Sequence, residues 1–175
     1  MYHNPVMLKE CMEGLDIKPE GVYADVTFGG GGHSHAILDL LTTGHLYAFD
    51  QDEDAAENAF DDERFTFILQ NFRYFKNFIQ LYHGGKIDGV IADLGVSSHQ
   101  FDTPEKGFSN RFDGPLDMRM SQMTPNDAAT VVNTYDAAEL TRIFRLYGEM
   151  QQPQLFASDI VMAREAEPIE TTEQL

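Results

Sequence analysis

Val22-Tyr23-Ala24-Asp25-Val26-Thr27-Phe28-Gly29-Gly30-Gly31-Gly32-His33-Ser34 reads as an apolar strand running into a glycine loop and then a helix. Glycine has no side chain and tolerates positive φ, so a loop of this kind lets the backbone approach a nucleotide-like ligand closely. The dinucleotide spacing G-x-G-x-x-G is not met: counted from Gly29 its last position is Ser34, and from Gly30 it is His35. NAD and FAD are therefore disfavoured. A tight strand-to-helix turn with no ligand is the bland alternative for the glycines taken alone.

Outward from this loop, short apolar runs alternate with helical patterns, the signature of a parallel sheet wound with crossover helices. Strands are expected at Val22–Thr27, Leu46–Asp50, Phe65–Leu69 and Asp88–Leu94, with helices near His35–Leu41, Asp54–Phe60 and Phe72–Tyr82 between them. The fold class is thus α/β, with a doubly wound core over residues 1–102 and a second part over 103–175. Nothing after Leu94 reads as a further central strand, so the sheet is expected to be incomplete.

Beyond Ser98 the period is lost. Gln100 to Met123 mixes Gly, Pro, Asp and Arg and predicts a long ordered loop. Helices are expected to return with Thr124-Pro125 as an N-cap and first helical proline, with Asp136-x-x-Glu139 as a capping box, and over Gln154–Arg164.

The strand ends carry the candidate chemistry. Asp50 closes the second strand about 20 residues past the glycines, where an acid can accept hydrogen bonds from ribose hydroxyls; a solvated loop acid is the alternative, because Asp52, Glu53 and Asp54 sit beside it. Asp93 closes the fourth strand, near the switch point where ligands bind in open sheets. Phe72, just past the third strand, either packs on an adenine or joins the core. Asp25, Asp50 and Asp93 are expected to face one crevice, and carboxylates suit a cationic sulfonium better than a pyrophosphate. His33 reads equally as a ligand contact or as a polar residue at a helix start. Leu116-Asp117-Met118-Arg119-Met120 is either a flap over the crevice or a short helix on the core.

Bulk properties limit the function classes. With 175 residues, 42% of them hydrophobic and 23% charged, the chain can bury one good core. No apolar run approaches the roughly 20 residues of a membrane span, and Met1 to Pro5 lack the pattern of a signal peptide, which makes the cytoplasm the default. Cys11 is the single cysteine, and no His, Asp and Glu set has metal-binding spacing, so no metal is expected. Twenty-nine acids against 12 bases give a net charge of -17. Such a balance is unusual for a self-sufficient nucleic-acid binder, which needs clustered Lys and Arg.

Against that charge stands an extended resemblance. His3-Asn4-Pro5-Val6, Asp25-Val26-Thr27-Phe28-Gly29, Gly31-Gly32-His33-Ser34, Asp88 through Ser98, Gln100-x-Asp102, Lys106-Gly107-Phe108-Ser109, Gly114 through Met120 and Tyr147-Gly148-Glu149 occur in order along the chain. In these motifs the chain resembles the bacterial 16S rRNA cytosine N4-methyltransferases, the RsmH or MraW family. The resemblance implies a Rossmann-like core with a helical insertion after the fourth strand, S-adenosylmethionine as cofactor, and 16S rRNA of the small ribosomal subunit as partner. A homodimer stays open as an oligomeric state.

Carried over residue by residue, the implied cofactor contacts are Gly31, Gly32, His33, Asp50, Phe72, Asp93 and Gln100. Asp93 and Asp117 are the candidates for accepting a hydrogen bond from the substrate amino group. Gly30 and Lys106 stand where Arg is common in that family, and Met150 where an acid is common. Members of the family are also longer, and a truncated chain that binds cofactor without catalysis is the competing expectation.

Overall fold

The structure is a computed structural model and describes residues 5–175; His3 and Asn4 of the first motif lie outside the described residues. The chain divides into two compact units, one ending at Gly95 and the other comprising Val96–Leu175. The expected division after residue 102 differs by one short helix, Ser98–Asp102, which the structure groups with the second unit.

In the first unit four strands, β1 (Val22–Asp25), β2 (His45–Asp50), β3 (Phe65–Leu69) and β4 (Gly89–Ile91), form one sheet in the order β3-β2-β1-β4. All three pairings are parallel, with Asp25 opposite Ala48 and Ile91, and Asp50 opposite Leu69. Every interior position of β2 is buried, as expected where both faces of a parallel sheet are covered.

One face carries Tyr23, Leu46, Ala48, Phe65 and Ile91 against α2 (Gly32–Leu40), which contributes Ile37 and Leu38. Cys11, Met12 and Leu15 of α1 (Leu8–Leu15) pack against the same cluster. The opposite face carries Ala24, Val26, Tyr47, Phe49 and Ile68 against Ile79 of α3 (Phe75–Tyr82).

Several boundaries differ from expectation for local reasons. β1 ends at Asp25 rather than Thr27, because the Thr27 N–H turns back to donate to Asp25 Oδ1 at 3.1 Å. β4 stops at Ile91 rather than Leu94: its partner strand has ended, and the Asp93 N–H donates to Thr27 Oγ1 at 2.7 Å instead of to a ladder. The segment expected as a helix over Asp54–Phe60 is a 3₁₀ turn over Glu53–Asn58, started by the Asp52 carboxylate accepting from Asp54 N–H. It ends early because Phe60 is drawn into the core, with its ring edge-on to Phe28 at 5.5 Å. Phe72–Tyr82 begins as a 3₁₀ turn, Phe72–Tyr74, before α3 proper. Helix α1 was not expected, although Leu8, Cys11, Met12 and Leu15 have the spacing of one apolar helical face.

The second unit opens with α4 (Ser98–Asp102), which runs into the stretch expected as irregular, and a 3₁₀ turn over Pro104–Lys106, which lies inside it. Helices α5 (Ala128–Thr134), α6 (Ala137–Leu146) and α7 (Pro153–Ala166) follow. Leu116, Val132, Leu140, Ala157, Ile160 and Ile169 form its core. The expected start of α5 at Thr124-Pro125 is corrected. Asp127 caps the helix, its carboxylate accepting from Thr130 N–H at 2.7 Å, while Thr124 N–H closes a turn on Ser121. Asp136 does cap α6, accepting from Glu139 N–H at 2.8 Å.

Candidate functional site

The sheet order reverses at β1: the chain first builds outward through β2 and β3, then returns to place β4 on the other side. At such a reversal the loops leaving neighbouring strands part, and a crevice opens beyond their carboxyl ends. The glycine loop leaves β1 at this point. Phe28 N–H donates to Phe49 O at 2.9 Å and Val26 N–H to Ile91 O at 3.0 Å, so the loop is tied to β2 on one side and β4 on the other.

Asp50 clasps the loop. Its Oδ2 accepts from Gly29 N–H at 2.8 Å, and its Oδ1 accepts from Asp52 N–H at 2.9 Å. Burial pushes its carboxyl above the usual range, and these backbone N–H groups pull the other way. Gly29 itself has φ +50°, and a β-carbon built on it would meet nothing within 4 Å. Open space therefore lies beside the clasp. Asn58 Nδ2 donates to Gly29 O at 3.1 Å and completes the hold on this residue.

Gly31 and Gly32 are glycine for a different reason. Gly31 has φ +76°, and a β-carbon there would fall 2.9 Å from Phe60 and 3.0 Å from Phe28; one on Gly32 would fall 2.3 Å from Pro5. The chain's own packing presses on both. His33 is buried at the start of α2, with its Nε2 at 3.1 Å from Val6 O. These three residues shape the turn from loop to helix.

Asp25 does not face the crevice as expected. It is 1% exposed and points into the unit, where Oδ2 accepts from Ser34 Oγ at 2.8 Å and Oδ1 from Thr27 N–H. Burial raises its carboxyl above the ordinary range against the pull of Ser34 and Thr27. Thr27 in turn accepts from Asp93 N–H, so one polar chain joins α2, the end of β1 and the end of β4. Asp93 has an exposed side chain at the end of β4. Phe72, 43% exposed, follows β3, and Asn71 Nδ2 donates to Gln51 Oε1 at 2.6 Å, bringing the ends of β3 and β2 together.

Thus Gly29 is linked to Asp50, and Asp93 to Thr27, at the strand ends, with Phe72 following β3. Thr27 and Ser34 lay within the quoted motif, but their partners could not be read from it, because hydroxyl hydrogen bonds leave no periodic trace.

The two remaining candidates belong to the second unit. Gln100 is buried in a reciprocal capping box: Ser97 Oγ accepts from Gln100 N–H at 3.2 Å, and Gln100 Oε1 accepts from Ser97 N–H at 3.1 Å. Asp117 faces Arg119, accepting Nε–H at 2.9 Å on one oxygen and an Nη2 hydrogen at 2.6 Å on the other. This pairing holds the Asp117 carboxyl below the usual range. Met118 between them adopts φ +58°, an uncommon conformation for a residue with a side chain. The segment is neither a helix nor free, since Leu116 is buried and its N–H donates to Glu170 O.

The sequence pattern described as the MraW methylase family matches residues 1–175. The chain belongs to the MraW methylase family. Among relatives of this family member, the ribosomal RNA small subunit methyltransferase H of Flavobacterium johnsoniae is 58% identical over 99% of the chain, and that of Christiangramia forsetii is 54% identical over 99%. The protein of the same name from Parabacteroides distasonis is 56% identical over 97%. The MraW-family chain covers 58%, 58% and 56% of these relatives' own lengths. A solved rRNA methylase from Streptococcus thermophilus aligns with 46% of the chain and 51% of its own at 22% identity and a TM-score of 0.36, too loose a likeness to add to the fold seen in the strands.

Proposed function

We propose that this chain binds S-adenosylmethionine at the carboxyl ends of β1, β2 and β4 and serves methyl transfer to the exocyclic N4 of a cytosine in 16S rRNA of the small ribosomal subunit, in the cytoplasm. The observation that carries the reading is the Asp50 clasp on Gly29, with open space beside a positive-φ glycine at the point where the sheet order reverses. Membership of the family supports the cofactor and the substrate class.

The residues present fit the cofactor. A carboxylate has about four acceptor sites, so Asp50 can hold Gly29 and Asp52 and still accept from ribose hydroxyls. The positive sulfonium is favoured by the carboxylates of Asp50 and Asp93 at the rim. Phe72 offers an exposed ring beside the end of β2, suited to an adenine. Gly31, Gly32, His33 and Gln100 complete the proposed contact set. When bound, the cofactor supplies an electrophilic methyl group.

The chain's own contribution is to orient the amino nitrogen, whose lone pair is delocalised into the cytosine ring. An acceptor that takes a hydrogen bond from the amino group favours the rehybridised nitrogen. Asp93 is the better candidate, with an exposed carboxylate on a backbone fixed by Thr27, whereas the Asp117 carboxylate is already engaged by Arg119.

The test is a methyl-transfer assay on small ribosomal subunits, with cofactor binding followed in parallel. Asp93→Ala is expected to abolish turnover, and Asp117→Asn to leave most of it. Wild-type turnover by Asp93→Ala with unchanged cofactor affinity rejects the assignment. A second reading, cofactor binding without turnover, is favoured by β4: it lies at a sheet edge, and Val90 on it is 45% exposed. Saturable binding of the cofactor with no methyl transfer by the unmodified chain would establish that reading instead.

A further inference from the structure

We propose that the 3₁₀ turn and outer face of α3, from Arg73 to Lys86, form a single-stranded RNA contact at the rim of the strand-end crevice, an inference that rests on the RNA substrate proposed above. The first observation is one of charge. From Arg64 to Ile87 the chain contains no Asp or Glu, although the protein as a whole has 29 of them. The same stretch carries Arg64, Arg73, Lys76 and Lys86, a third of the 12 bases. Arg64 is committed to Asp62 and to the carbonyls of Leu38 and Leu41. Arg73, Lys76 and Lys86 are exposed.

The second observation is geometric. The Arg73 guanidinium lies over the Tyr74 ring, 5.0 Å from its centre, and Tyr74 is itself 42% exposed. One face of the guanidinium is thereby held on an aromatic ring, in a residue that is exposed. Planar guanidinium and exposed aromatic rings are the groups that take unstacked bases, and Arg and Lys are those that take phosphates. Asn71 places this turn beside the end of β2 through Gln51, so a strand lying along α3 would lead to Asp50. Asn77 and Gln80 on the same helix are exposed, polar and uncharged, and repel no phosphate. The chain thus combines a strongly acidic total with one long acid-free stretch whose first turn lies beside the end of β2.

The test measures binding of a short fluorescein-labelled single-stranded RNA by anisotropy across a salt series, using the whole chain. Arg73→Ala combined with Lys76→Ala should weaken binding and reduce the log–log salt slope by about 1.4, at ~0.7 for each phosphate of a single strand that is no longer neutralised. Tyr74→Leu should weaken binding with little change in slope, because stacking is removed rather than charge. Lys9→Ala with Lys18→Ala removes the same charge from α1 and the turn before β1 and should leave the slope unchanged. The thermal midpoint and the affinity for S-adenosylmethionine should match wild type in each variant. If the unmodified chain binds RNA but the Arg73 and Lys76 variant behaves like it, or like the Lys9 and Lys18 control, the stretch is not where the RNA binds and the RNA reading stands. If the unmodified chain binds no RNA, both fall.

Discussion

Asp25 in the sheet unit and Asp117 in the helical unit each close a loop, but they do so in opposite electrostatic settings. Asp25 lies within the core against neutral donors, Ser34 Oγ and Thr27 N–H, and burial pushes its carboxyl up. Asp117 lies near the surface against the Arg119 guanidinium, which holds its carboxyl down. A raised carboxyl favours the folded state most when protonated. Stability from Asp25 is therefore full below the ordinary carboxylate range and declines as pH rises through its folded value. A depressed carboxyl works in reverse: the Asp117 contribution is present above the ordinary range and is lost as pH falls through its folded value. The two units are thus expected to respond to acid with opposite sign at these two positions.

The largest expected effect breaks the helical unit alone. Gly107 has φ +72°, and a β-carbon on it would stand 2.4 Å from Pro115 O, a backbone atom that cannot swing away. Gly107→Val should cost about 3 kcal/mol or more. In hydrogen exchange, α5 to α7 should lose protection while β1 to β3 keep theirs; equal loss in both units would show that they are not separately held. Next comes Asn133, which donates to Ala129 O at 2.8 Å and Ile169 O at 2.7 Å and accepts from Ile169 N–H at 3.0 Å. Asn133→Leu leaves Ile169 N–H and O without their partner and should cost about 2–3 kcal/mol in calorimetric unfolding.

Smaller effects sharpen the comparison of the two carboxylates. Asp117→Asn should cost about 1 kcal/mol at neutral pH, since partly exposed ion pairs contribute modestly, and the difference from wild type should vanish in acid. Asp25→Asn should cost the least and can even stabilise at neutral pH. The amide can still accept from Thr27 N–H and donate to Ser34 Oγ, and it removes a buried charge. A neutral-pH loss larger than that of Asp117→Asn would mean that the Asp25 charge itself is required. The pH dependence of each variant's thermal midpoint reads both signs directly.

What was legible in the sequence divides along the same line. The sheet unit is built from backbone ladders and apolar runs, so β2 and β3 could be located almost to the residue from Leu46–Phe49 and Phe65–Leu69. The ends of β1 and β4 could not, because there Thr27 and Asp25 take the hydrogen bonds that a ladder would have used. The helical unit is held by polar side chains reaching distant carbonyls, as Arg164 reaches Val132 and Tyr135 and Asn133 reaches Ile169. Such contacts have no period, and the segment before α5 therefore reads as an unpatterned loop. At the candidate site, the strand-end placement of Asp50 and Asp93 was readable from position. The inward turn of Asp25 was not, since an acid after an apolar run reads the same whichever way its side chain points.

The central claim, that the Asp50 clasp forms the cofactor site, is tested most directly by calorimetric titration of S-adenosylmethionine into the chain and into Asp50→Ala. Saturable binding by the unmodified chain, reduced at least about tenfold in the variant, is the expected result; tenfold corresponds to about 1.4 kcal/mol, the scale of one charged hydrogen bond. Equal affinity in the two proteins, with the variant still folded, would contradict it.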